Sequence, residues 1–158
     1  GIEWARLIVQ WALSSFANRD GARPYIDAAE HLFARAVDDA WNADGAEGLV
    51  YTTDWNGTPV VTDRMHWTAA ESLNTAATLH AATGEARYAN WYATFARYVD
   101  EHVIDHEGGS WFHQLDGDNR VIGTVWPGKS DLYHAFQSTL IPFLDPAVSI
   151  ATAVKNAA

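Results

Sequence analysis

Residues 63–125 read DRMHWTAAESLNTAATLHAATGEARYANWYATFARYVDEHVIDHEGGSWFHQLDGDNRVIGTV. Apolar and small residues recur at helical spacing over 63–82, and Thr83-Gly84 is a stop signal. A second helical run follows over 85–104. The pattern then changes period. Residues 107–125 hold two β-prone runs around Asp116-Gly117-Asp118-Asn119, which predicts a hairpin. One unit is therefore helix, helix, hairpin.

The same unit lies upstream. Residues 2–18 carry Ile2, Leu7, Ile8, Trp11 and Leu13 at helical spacing, and Asn18-Arg19-Asp20-Gly21 is expected to end that helix. Residues 24–41 read as a second amphipathic helix with Pro24 in its first turn. Residues 44–62 place short β-prone runs around Asp54-Trp55-Asn56-Gly57. The register is measurable: Trp4 to Trp67, Tyr25 to Tyr88 and Gly45 to Gly108 are each offset by 63, and Phe33-Ala34-Arg35 to Phe95-Ala96-Arg97 by 62. A third unit begins near 130, with a helix over 131–141 capped by Ser130 or Asp131 and a helical tail from Pro146 to about 155. Such units bury their helices only by stacking. The outcome is an open solenoid or a closed α/α ring, and about six units, ~380 residues, would close a ring. Gly1 is not a natural start, so the chain is expected to be part of a longer product.

Composition narrows the chemistry. At 158 residues, 48% hydrophobic and 19% charged, the chain is globular. A net charge of −10 argues against nucleic acid or an anionic membrane as partner. The absence of cysteine excludes disulfides and thiolate metal sites, and no apolar run is long enough for a membrane span. A cytoplasmic location is the expectation, and a homo-oligomer is compatible with the sequence. Eight Trp is several times the usual share. Trp faces stack on sugar rings, although they also pack between helices.

Three motifs carry candidate chemistry. In Trp126-Pro127-Gly128-Lys129-Ser130-Asp131-Leu132-Tyr133-His134-Ala135-Phe136-Gln137, a polar loop enters a helix with His134 in its first turn. The positive helix end disfavours imidazolium, which suits a general base near neutral pH. Gln137 lies one turn on and faces the same way, within reach of a substrate hydroxyl. A helix-start His held by its own loop fits the spacing equally well. Glu3 precedes an apolar helix face and is either an acid that orients a His or a first-turn acid favoured by the helix dipole. In Arg64-Met65-His66-Trp67-Thr68-Ala69-Ala70-Glu71, Glu71 shares a face with Trp67. By the repeat, Trp67 takes the place of Trp4 and His66 that of Glu3. Equivalent helix starts point at one cleft, so Glu3, His66 and His134 are expected as neighbours. His31, His80 and His102 read as packing or solvent residues; His106 and His113 flank the second hairpin, from which His113 could reach a cleft although nothing demands it. No HExxH, Gly-rich phosphate loop or GxSxG elbow is present, so neither a metal nor a cofactor is expected.

GIEWARLIVQW resembles the "GH-x-IEW" helix of the N-acylglucosamine 2-epimerase superfamily, and DRMHWTAAES its "R-x-HW-x-x-AE" helix. GSWFHQLDGDNR and TVWPGKSDLYHAFQSTLIP resemble the C-terminal signature of its D-mannose isomerase and sulfoquinovose isomerase members. The likeness runs through nearly the whole chain. It implies an all-α fold, with residues 1–158 the C-terminal portion of one (α/α)6-barrel catalytic domain. It implies interconversion of D-mannose and D-fructose through a cis-enediolate, by two His acid/base groups and no metal. His134 matches the later His; the earlier one is expected immediately before Gly1. Glu3 matches the acidic partner, while Trp67 and His66 match the wall of the sugar pocket. Gln137 and Asp131 complete the expected monosaccharide contacts, and the N-terminal half of the same barrel supplies the remainder. A sugar 2-epimerase or a sulfoquinovose isomerase of the same superfamily is the runner-up. An α/α-barrel glycoside hydrolase using Glu3 and Glu71, or a non-catalytic carbohydrate-binding protein, is the alternative of another class.

Overall fold

The computed structural model describes residues 1–157. Two antiparallel helix pairs and the start of a third lie side by side, each pair followed by a hairpin. The first pair is α1 (Ile2–Ser15) and α2 (Arg19–Ala40), with strands β1 (Thr52–Thr53) and β2 (Pro59–Val61) behind it. The second is α3 (His66–Thr83) and α4 (Ala86–Tyr98), the latter extended by a π-helical turn over Val99–Val103. Its hairpin is β4 (Gln114–Leu115) and β5 (Val121–Ile122). Then come α5 (Leu132–Leu140), a 3₁₀ turn over Ile141–Phe143 and α6 (Ile150–Ala157).

Two boundaries differ from the sequence reading. Asn18 starts α2 instead of ending α1. Its side-chain oxygen accepts the Gly21 backbone N–H at 2.9 Å, so the helix begins five residues before Pro24 and carries that proline inside it. Residues 64 and 65 are not helical. They form a strand, β3 (Arg64–Met65), paired with β4, which ties the second hairpin to the N-terminus of α3. Two residues are too few to show a period. The end of α3 is as expected: Gly84 takes φ 74° and closes the helix on the His80 carbonyl.

Helix α3 is the central element. It packs on α1, α4 and α5, and most of its length is buried. Small residues at Ala69, Ala70, Ser72, Thr75 and Ala76 let the neighbouring helices approach. Helices α1, α3 and α5 thus form one row, with α2 and α4 outside it. Between the outer helices, Phe33, Trp41, Tyr88, Trp91, Phe95 and Tyr98 meet mostly edge to face. The row brings the N-terminal ends of α1, α3 and α5 to one end of the molecule, where the hairpins also lie.

Candidate active site

Each group at this end is placed by local chemistry. Asp131 caps α5: its Oδ1 accepts the Tyr133 N–H at 2.8 Å and the His134 N–H at 3.4 Å. Burial opposes its ionisation, but these N–H groups, with His66 and His134 nearby, hold the carboxyl below its ordinary range. His134 follows in the first turn of α5, partly exposed. His66 opens α3 and is 2% exposed. Its backbone N–H donates to the His113 carbonyl at 3.1 Å, and its Nδ1 lies 3.3 Å from the same oxygen. Burial, and then the neighbouring His113, hold the His66 imidazole below its ordinary pKa, so the ring is neutral at pH 7. The carbonyl beside Nδ1 and the carboxylate beside Nε2 both only accept, and a neutral ring carries a single N–H for one of them. Nε2 is buried without a hydrogen-bond partner and lies 3.4 Å from Asp131 Oδ2.

The imidazoles cluster. The His66 ring centroid is 4.6 Å from that of His113 and 6.0 Å from that of His134. Trp67 stands 6.1 Å from His134, and Trp126 packs edge-on against His113 at 5.1 Å. The loop bearing Trp126 is anchored by fully buried Gln114, whose amide donates to Asp63 at 2.5 Å and Thr124 at 2.9 Å and whose carbonyl accepts the Val125 N–H. Gln137 is half-buried one turn beyond His134.

Behind His134 lies a buried charge pair. Glu71 is 0% exposed, and Arg6 clamps it with two hydrogen bonds, Nε to Oε2 at 2.8 Å and Nη2 to Oε1 at 3.1 Å. His134 Nδ1 lies 3.4 Å from Glu71 Oε1, an approach short of a formed hydrogen bond, and this buried atom has no hydrogen-bond partner among the described residues. Glu3 does not touch His134 directly. Its carboxylate lies 4.0 Å from Arg6, so it joins the histidine only through Arg6 and Glu71. Glu3, Trp4, Tyr51 and Trp67 line a cleft of about 530 Å³ on the other side of Trp67.

The structure therefore brings together His134, His66, Trp67 and Asp131, and places Glu3 one link away. It adds Arg6, which the sequence reading passed over, and His113, which was read only as a hairpin residue able to reach a cleft. An arginine amid the buried positions Ala5, Val9 and Ala12 of α1 was the readable signal, because a charge on an apolar face requires a partner. Trp55 projects fully into solvent, and His31, His80 and His106 are exposed, away from the cluster. Among the described residues, Glu47, Glu101 and His102 form the one His/Asp/Glu group tight enough for a metal, and Arg97 already pairs with both carboxylates.

The profile of the N-acylglucosamine 2-epimerase (GlcNAc 2-epimerase) family matches residues 1–138. The chain belongs to this family. It is 45% identical over 155 residues to a D-mannose isomerase of Pseudomonas cannabina pv. alisalensis, covering 98% of this chain and 37% of that protein. It is 43% identical over 156 residues to a D-mannose isomerase of Thermobifida fusca, covering 98% and 38%. A crystal structure of D-mannose isomerase superposes with a TM-score of 0.72 at 28% identity, over 87% of this chain and 36% of that one. The chain thus spans little more than a third of the relatives it matches. Its helix pairs are part of the (α/α)6 barrel of the N-acylglucosamine 2-epimerase family.

Proposed function

We propose that the full-length protein interconverts D-mannose and D-fructose, with His134 as one of two acid/base groups and this chain as the C-terminal portion of the barrel. The observation that carries the proposal is the approach of His134 to buried Glu71 beside Trp67. An ionised carboxylate only accepts, so closing this 3.4 Å approach takes Nδ1–H and leaves the Nε2 lone pair for the substrate. Aldose-to-ketose conversion removes the proton from C2 and protonates O1, then returns a proton to C1 as the O2–H proton leaves and O2 becomes the carbonyl. One imidazole of suitable basicity beside both carbons moves the carbon-bound proton, and hydrogen-bond donors stabilise the enediolate oxygens. Trp67 supplies a face for the sugar ring. His66 Nε2, Asp131 and Gln137 supply polar contacts to its hydroxyls. The second His, expected just ahead of Gly1, completes the acid/base pair, with Glu3 on α1 as its acidic partner. The relatives' names support mannose as the sugar. No helix among the described residues is long and apolar enough to cross a membrane, and a cytoplasmic location belongs to the proposal.

Product analysis tests it. Full-length protein given D-mannose is expected to yield fructose. Glucose without fructose, a C2-inverted aldose, would identify an epimerase and overturn the isomerase reading. The hydrolase alternative is disfavoured by a specific observation: Glu71, one of its two required acids, is fully buried and held by Arg6, which suits an ionised anchor and not a proton donor.

A further inference from the structure

We infer that Arg6 is a positioning residue of this site: acting through Glu71, it holds the His134 imidazole in one tautomer and one orientation. The inference rests on the reading of His134 as an acid/base group. Three helices contribute one group each: a guanidinium from α1, a carboxylate from α3 and an imidazole from α5. Arg6 is 5% exposed, and each of its three nitrogens has an acceptor. Nε and Nη2 hold the two oxygens of Glu71, and Nη1 donates to Gln10 Oε1 at 2.9 Å. The fork and Gln10 together fix the guanidinium plane, and the plane fixes the carboxylate. A carboxylate without solvent exposure stays ionised only beside a cation. Other cations at this end are committed elsewhere, Arg64 to Asp44 and Lys129 to Asp105. With Glu71 anionic and acceptor-only, the 3.4 Å approach of His134 Nδ1 closes into a hydrogen bond only with Nδ1 as the donor, and Nε2 is then the nitrogen left for chemistry. A lysine would supply the charge but not the two-pronged geometry.

A purely structural role, pinning α1 to α3, would leave the imidazole unchanged. The two roles separate by ¹⁵N-imidazole NMR on full-length protein, with the His134 resonances identified by their loss in His134→Ala. The wild type is expected to show His134 protonated on Nδ1. Arg6→Met is expected to lose that preference and to lower kcat by about 10²-fold, the scale of a misplaced reacting group, with a smaller change in KM. Arg6→Lys is expected to restore part of both. A folded Arg6→Met protein with the wild-type tautomer and kcat would overturn the inference. If Arg6→Met does not fold, Glu71→Gln retains Arg6 and decides instead. The fork then claims the single carbonyl oxygen and turns the amide N–H₂ toward Nδ1, so His134 is expected to switch to the Nε2-protonated form. No switch would overturn the inference. Failure of the functional reading looks different: wild-type protein without mannose turnover, or His134→Ala with normal kcat, while the tautomer remains readable by NMR.

Discussion

His66 shows how one residue couples burial, charge and pH. The folded chain keeps its ring neutral because burial and His113 penalise the cation. The unfolded chain takes up that proton at the ordinary imidazole pKa, and the folded one only at lower pH. Between the two, the unfolded state holds more protons, so stability falls as pH drops through the ordinary imidazole range. The urea midpoint is therefore expected to decrease from pH 7.5 to 5.5, and to decrease less in His66→Gln. Equal decreases in both would remove His66 as the cause. At this scale the proximity of His134, His66, Trp67 and Asp131 was legible, because helix starts and the 63-residue offset bring them to one end without tertiary information. Arg6 and His113 were not legible as site residues, since their partners lie 65 and 47 positions away and are met only after α1 packs on α3 and the second hairpin folds back on His66.

Among the elements, the helix pairs were read from periodicity and the hairpins from turn residues. The exceptions have physical causes. The start of α2 was lost because Asn18 in a polar run suits a helix cap as well as a turn. Strand β3 was lost because its pairing with β4 is non-local. The aromatic seam between α2 and α4 holds the outer layer, and Phe95, 1% exposed and in contact with Phe33, Trp41 and Trp91, is near its centre. Phe95→Ala is expected to destabilise by about 3–5 kcal/mol, as large truncations in a packed core do. Chemical denaturation at constant m-value checks this, and a loss under about 1 kcal/mol would mean that the seam is loose. The same seam lies away from the histidine cluster, so kcat per folded molecule should not change.

Across the whole molecule, the repeat by itself implied stacking in an open solenoid or a closed ring, and the motifs' resemblance pointed to the closed (α/α)6 ring. The family match bears out the ring. The exposed apolar faces agree with continuation on both sides: Trp4, Leu7 and Trp11 on α1, and Leu132, Phe136 and Phe143 at the other edge. Residues 1–158 produced alone are expected to give no mannose turnover, because the second His and part of the sugar pocket are expected from the rest of the barrel; measurable fructose from that fragment would refute the two-half site. The most direct test of the central claim, that His134 moves the proton while Glu71 orients it, is kcat for His134→Ala in the full-length protein with D-mannose. A fall of at least ~10²-fold in a protein with wild-type circular dichroism and urea midpoint is predicted. A kcat close to that of the wild type would contradict it.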